Sequence, residues 1–242
     1  MEIYAKTDTG QVRKINQDCF DFQVIDPGFS FAVVCDGMGG TKAGEVASLL
    51  ACKTVKNCIN ESFKENLSED EVKDLVINSV KISNEEILKK AQNDKRYLGM
   101  GTTIVLAAVH NNIVHVAHIG DSRAYVISDK KVEQLTKDHS MVQEMVESGE
   151  ITSEQAKNHP KKNIITRALG VNKDIEIDYN NTTLNENDIL FLCTDGLSNY
   201  IDDEKISKYI KKFSGQEIVD RLVDKANELG GNDNITALIM KN

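Results

Sequence analysis

Three short apolar runs, far apart in this chain, each end at an aspartate beside a glycine. Residues 31–35 lead into Asp36-Gly37, residues 113–119 into Gly120-Asp121, and residues 189–193 through Thr194 into Asp195-Gly196. A fourth run, residues 235–240, follows Gly230-Gly231-Asn232-Asp233-Asn234. β-Branched runs of this length bounded by glycine read as buried strands, so acids are placed where strands leave a core. If those ends converge, the like charges raise one another's pKa unless cations neutralise them. A chain with this pattern is constrained to gather strand ends, and the place where they meet suits hard divalent metal ions.

The rest of the composition narrows the class. With 242 residues and 40% apolar content the chain can build a substantial core. No run approaches the roughly 20 apolar residues of a membrane span, so no membrane association is expected. Met1-Glu-Ile-Tyr-Ala-Lys-Thr-Asp8 lacks the basic start and apolar stretch of a secretory signal. The cysteines Cys19, Cys35, Cys52, Cys58 and Cys193 are odd in number and form no CxxC, which reads as buried thiols in a reducing compartment. A soluble, cytoplasmic monomer is expected. The net charge of −9, with no basic run longer than two residues, argues against nucleic acid as a partner.

Periodicity predicts strands at 2–8, 19–25 and 30–36, then a helix from about 43 to 63 with apolar residues at helical spacing. Ser68-Glu-Asp-Glu71 has the form of a capping box and starts a second helix that runs to about Gln92. Strands follow at 101–110, 113–119 and 123–128, with Asn111-Asn112 as a two-residue hairpin turn. Residues 139–172 read as polar and irregular, with a short helix near 140–148. Strands at 174–182 and 187–194, helices at 203–212 and 215–229, and a strand at 234–240 complete the pattern. Consecutive strands with short turns imply antiparallel pairing, and the long helices come in two pairs. The fold class is therefore α+β: a four-layer α-β-β-α sandwich of two antiparallel sheets flanked by helix pairs, in one domain spanning 1–242.

Six blocks carry a family resemblance: Gly10-Gln-Val-Arg13-Lys-Ile-Asn16-Gln-Asp18, Asp36-Gly-Met-Gly-Gly40, Gly101-Thr102-Thr103, Gly120-Asp-Ser-Arg123, Thr194-Asp195-Gly196 and Asn232-Asp233-Asn234. Together, in this order, they resemble the signature of the metal-dependent PPM family of protein serine/threonine phosphatases in its compact bacterial form. The resemblance implies hydrolysis of phosphoserine and phosphothreonine by metal-activated water. Two cations sharing a carboxylate meet the needs of that reaction, and oxygen ligands favour Mn2+ or Mg2+. Asp36 fits the bridging role with the Gly37 carbonyl as a further donor, glycine there letting the backbone approach an ion. Asp195 and Asp233 complete one ion's shell, Asp18 acts on the other side, and Asp121 with Asp195 holds a third ion as in bacterial relatives. Arg13 matches the phosphate-binding arginine, whose planar fork lysine cannot copy. Arg13, Asp36 and Asp195 are thus the catalytic set, while Lys14 is taken as solvated.

The sequence departs from many eukaryotic members in carrying Met38 where they have a histidine after the first Asp-Gly, which leaves the general acid unassigned. His115 and His118 differ by an odd number and point to opposite strand faces; His118 and His139 read as core residues. Thr102 and Thr103 are not distinguishable from ordinary strand residues. Residues 139–172 match the family's flap, and Asn158-His-Pro-Lys-Lys-Asn163 offers charge to a phosphoprotein. The implied partners are phosphorylated proteins, among them a bacterial-type serine/threonine kinase and its substrates. Two other readings are a relative acting on an anti-sigma antagonist, and a catalytically dead phosphoprotein-binding module. The first commonly needs sensor domains, and the second loses metal ligands that are all present here.

Overall fold

The side chains of one strand, β3 (Phe29–Met38), separate the layers of the molecule. Phe31, Val33 and Cys35 join a cluster with Ala47, Val55, Ile59, Val76 and Val80, whereas Ala32 and Val34 join another with Leu190, Leu192 and Leu238. Alternate residues of a strand face opposite sides, so β3 is buried between helices on one side and a second sheet on the other. The structure is a computed structural model that describes residues 1–39, 43–129 and 131–241. Gly40 of the second sequence block lies outside the described residues.

One sheet has the order β1-β11-β10-β7-β8, formed by Glu2–Asp8, Ile235–Lys241, Ile189–Cys193, Arg123–Ile127 and Val132–Gln134. The other has the order β2-β3-β5-β6-β9, formed by Asp18–Asp26, β3, Ile104–His110, Ile113–Ile119 and Asp178–Thr183, with the two-residue β4 (Gly101–Thr102) beside β3. All pairings are antiparallel. Helices α1 (Ala43–Ser62) and α2 (Glu69–Asn93) cover the second sheet. Phe191, Cys193 and Ile239 of the first sheet pack instead on Ile206 of α6 (Asp203–Lys212) and on Val219, Leu222 and Val223 of α7 (Gln216–Glu228). Each of these fully buried aliphatic side chains contributes roughly 1.5–3 kcal/mol. The four-layer α-β-β-α arrangement expected from the element order is the one observed.

Local signals acted as their chemistry dictates. Both halves of the Ser68–Glu71 capping box form, and Asn111 and Asn112 take φ of 48° and 66°, as a type I′ hairpin turn requires. Some elements differ from expectation, β8 among them, since no strand was expected there. The strand expected at 101–110 breaks at Thr103: its N–H keeps the in-register bond to the Asp36 carbonyl at 2.8 Å, but the reciprocal Asp36 N–H turns to the Thr103 hydroxyl at 2.9 Å. The strand expected at 174–182 begins only at Asp178, because its partner β6 reaches no further than the His118–Asp178 register; Ile175 and Ile177 pack on the core from a loop. Within 139–172, α3 (Met141–Glu147) was expected, but α4 (Ser153–Lys157), closed by a Thr152–Gln155 capping box, was not.

The far end of that segment is pinned to α2 by one side chain. Buried Asn84 accepts from the Gly170 N–H at 2.7 Å and donates to the Asn172 carbonyl at 2.9 Å. Replacing it leaves buried backbone groups unpaired. We therefore expect Asn84→Ala to lower unfolding free energy by about 2–3 kcal/mol, measured by urea denaturation; an unchanged midpoint would contradict this anchoring.

Candidate metal centre

The two sheets meet at the ends of strands β2, β3, β10 and β11, and there the acids gather. Asp18 opens β2 and lies opposite Asp36 in the β2–β3 register. Asp121 lies in the turn between β6 and β7, Asp195 opens the one-turn α5 (Asp195–Ser198) after β10, and Asp233 precedes β11. Asp18 and Asp121 are buried, while Asp36, Asp195 and Asp233 are partly buried. A cleft of about 590 Å³ is lined by Asp36, Asp121, Asp195, Asp233 and Arg13, with Asn163 and Ile165 on its far side.

Asp18 ties one sheet to the other. Its Oδ2 accepts from the Thr194 hydroxyl at 2.9 Å and from the Thr236 hydroxyl at 2.7 Å. Thr236 Oγ1 also lies 2.8 Å from Thr7 Oγ1, which accepts from the Asn16 amide at 2.8 Å. Since Thr236 spends its proton on Asp18, Thr7 donates to Thr236, and the chain runs in one direction from Asn16 to Asp18. The other oxygen, Asp18 Oδ1, is buried without a hydrogen-bond partner, as is Asp195 Oδ1.

Electrostatics follow from burial and crowding. Burial, reinforced by Asp195 and Asp233, pushes the Asp18 carboxyl up to about 7 against the pull of its two hydroxyl donors. Burial and Asp233 push Asp195 up to about 6, and its contact with Asp36 partly offsets that. Asp36 is raised well above the usual carboxylate range by burial and then by Asp18, Asp195, Asp121 and Asp233. Asp121 is raised by burial and then by Asp195. Its neighbour Arg123 offsets only part of this, being paired with Asp138 through bonds of 2.8 and 2.7 Å. Oxygen-only donors, two orphaned buried oxygens and carboxylates that resist ionising together fit hard divalent cations.

Gly37 also has a packing role that was not expected. A Cβ on Gly37 would lie 2.1 Å from the Gly44 carbonyl oxygen, and one on Gly44 would lie 2.6 Å from Gly37. The space is filled by the first turn of α1, so glycine here lets helix and strand touch. Arg13 is half-exposed, with one edge on Asp233 Oδ2 at 2.8 Å. Its loop is held by buried Asn234, which accepts from the Gln17 N–H at 2.8 Å and donates to the carbonyls of Thr9 and Ile15 at 2.9 and 3.0 Å. Lys14 is exposed at the rim.

Several positioning residues carried little signal. Thr103 Oγ1 accepts from the Asp36 N–H at 2.9 Å and contacts Ser122 Oγ at 2.8 Å, while Thr102 Oγ1 donates to the Asp36 carbonyl at 2.8 Å. Both threonines hold the backbone of Asp36. Thr194 and Thr236 look like ordinary strand-end residues, and only paired hydroxyls beside aspartates could have marked them.

The histidines lie outside the cleft. Among the described residues, one trio has the spacing of a single ion's ligands: His118, His139 and Asp178, within 4.8 Å of one another. Its atoms are already spent. The Gly120 N–H donates to His139 Nδ1 at 3.1 Å, so the ring proton sits on Nε2, which faces Asp178 at 3.3 Å. Arg167 holds Asp178 at 3.0 Å, and His118 Nε2 bonds the Lys137 carbonyl at 2.9 Å. Fully buried His115 faces Glu69 of α2, on the opposite side of β6 from His118, as the odd spacing implied.

The sequence matches the protein phosphatase 2C family over residues 9–229. It is 37% identical over 248 residues to the serine/threonine phosphatase Stp of Listeria monocytogenes, covering 100% of this chain and 96% of the relative. Among solved structures it resembles the serine/threonine phosphatase Stp1 of Staphylococcus aureus, with a TM-score of 0.91, 37% identity and coverage of 98% and 93%. It also resembles the catalytic domain of the phosphatase PstP in complex with two manganese ions, with a TM-score of 0.85, 30% identity and coverage of 98% and 96%.

Raised carboxyl pKa values have a definite sign. Between the unfolded value near 3.8 and the folded values of about 6 and 7, the folded chain holds protons the unfolded chain has lost. Stability without a divalent cation therefore falls as pH rises through 6–7, while a bound cation removes the repulsion. The gain in melting temperature on adding Mn2+ to chelator-treated protein should be clearly larger at pH 8 than at pH 5.5. Equal gains, or none, would contradict this electrostatic picture.

Proposed function

The chain belongs to the protein phosphatase 2C family of metal-dependent serine/threonine phosphatases, and from that premise we propose how its residues divide the work of hydrolysing phosphoproteins. Residues 1–242 act as one catalytic domain, with 139–172 as its flap. Asp36, Asp195, Asp233 and the Gly37 carbonyl would hold one cation, Asp36 and Asp18 a second, and Asp121 with Asp195 a third, with Mn2+ or Mg2+ as the ion. Bound cations supply a nucleophilic oxygen at neutral pH and offset the charge of the phosphate. The observation that carries this reading is the meeting of five aspartates from distant segments, two with orphaned buried oxygens, under Arg13.

The chain's own residues supply the rest. The Asn16–Thr7–Thr236–Asp18 chain and the Thr194 hydroxyl orient one Asp18 oxygen, leaving the other for a cation. Thr102 and Thr103 hold the Asp36 backbone, so the bridging carboxylate is preorganised. Arg13 binds the phosphoryl oxygens through its fork while Asp233 holds its other edge. The substrates are phosphorylated proteins, the opposing enzyme is a serine/threonine kinase, and the protein works as a cytoplasmic monomer. Among the described residues no helix is long and apolar enough to cross a membrane.

Hydrolysis of p-nitrophenyl phosphate and of a phosphothreonine peptide, with Mn2+ and with chelator, tests the reading. Activity should require the ion, and Asp36→Asn or Asp195→Asn should lower turnover by roughly two orders of magnitude or more. Full turnover in verified metal-free protein would refute it. Arg13→Ala should act mainly by raising KM, with Arg13→Lys restoring part of the loss for want of a bidentate fork. Wild-type KM and kcat in Arg13→Ala would remove Arg13 from the phosphate site.

A further inference from the structure

A second and larger cavity, about 890 Å³, opens from the metal centre on the side away from Arg13. Asp121 and Asp195 line both cavities, so the two adjoin at these residues. One wall comes from the 139–172 segment, including Glu154, Lys157 and Lys162; the other comes from residues 198–204, the approach to α6 and its first turn. A phosphorylated side chain set between Arg13 and Asp36 leaves its polypeptide only the surrounding surface to follow. This trough is open, polar and deep enough to take an extended segment.

Charge along the trough is not balanced. Arg123 is bonded to Asp138, Lys157 to Glu154 at 3.0 Å, and Lys205 to Asp202 at 2.9 Å. Among the described residues, Asp203 and Glu204, exposed on the α6 wall, have no ion pair, and Lys162 on the opposite wall is one unpaired cation against these two acids. Acids in a helix's first turn have a structural account, since they complement the macrodipole. That dipole is worth only about half an elementary charge, so two carboxylates leave the wall negative. The field already crosses the trough: Lys157 on the opposite wall is raised first by Glu154, then by Asp202 and Asp203.

We infer that this trough receives the polypeptide flanking the phosphorylated residue and favours segments carrying arginine or lysine beside it, read by Asp203 and Glu204. The inference rests on the phosphatase reading above and adds a substrate preference to it. Exposed charge pairs act modestly and are screened by salt, so the preference is a matter of several-fold, not orders of magnitude.

The test uses Mn2+-loaded full-length protein and a set of phosphothreonine peptides with arginine, alanine or glutamate scanned through the flanking positions. At low salt the best arginine peptide should exceed its alanine counterpart in kcat/KM by about fivefold. The advantage should shrink at high salt and vanish in Asp203→Asn/Glu204→Gln, with p-nitrophenyl phosphate hydrolysis unchanged. The double variant's melting temperature checks that it is folded; should it fail to fold, Glu204→Gln alone should halve the advantage. Equal rates on all peptides, a preference for glutamate, or an arginine preference that survives the substitutions would overturn the inference. Wild-type inactivity toward p-nitrophenyl phosphate would instead overturn the phosphatase reading. In that event, anisotropy of labelled arginine and alanine peptides reads the trough directly, and equal binding of the two overturns it.

Discussion

Repulsion among buried carboxylates is the constraint on which this architecture turns. Burial is the first cause raising Asp18, Asp36, Asp121 and Asp195, and neighbouring carboxylates add to it in each case. A fold does not collect such groups for stability, because each unneutralised charge in a low-dielectric site is costly. The cost is borne by rigid surroundings: two sheets whose strand ends are locked together through Asp18, Thr194 and Thr236, and the Gly37–Gly44 contact that seats α1 against the end of β3. Cations convert that repulsion into attraction, so the same arrangement that strains the metal-free chain becomes its binding energy when ions are present.

The layers explain why the site is where it is. Three apolar clusters, helix on sheet, sheet on sheet and sheet on helix, fill the interior and push polar strand ends to one edge of the sandwich. At that edge the loop carrying Arg13 is built on the turn that supplies Asp233. Gln11 N–H bonds the Gly231 carbonyl at 2.7 Å, and a Cβ on Gly10 would lie 2.2 Å from the Asp233 carbonyl oxygen. The proposed phosphate-binding Arg13 and the proposed metal ligand Asp233 therefore rest on one piece of backbone.

Features set by local chemistry were legible in the sequence. The capping box at Ser68, the Asn111-Asn112 turn and the alternation in β3 depend on residues near one another, and they form as read. Four of the acids were legible together: Asp36 and Asp195 as Asp-Gly after apolar runs, Asp121 as Gly-Asp after another, and Asp233 just before a fourth run. What escaped depended on tertiary context. Thr194 and Thr236 gain meaning only when β10 and β11 lie side by side, and Thr103 only when it meets the Asp36 backbone. The start of β9 was set by where β6 ends, not by its own apolar pattern. Gly37 was singled out for an ion, and its contact with the helix beside it was not foreseen. The His118–His139–Asp178 trio joins β6, the start of the 139–172 segment and β9, and nothing in the linear spacing announces it.

That trio also supplies the sharpest alternative location for a cation, which makes one measurement decisive. Anomalous diffraction from crystals grown with Mn2+ locates the ions directly. The account predicts at least two peaks against the Asp36 carboxylate, shared with Asp18 on one side and with Asp195 and Asp233 on the other, and none at His118, His139 and Asp178. Manganese at the histidine trio, with no peak beside Asp36, would contradict it.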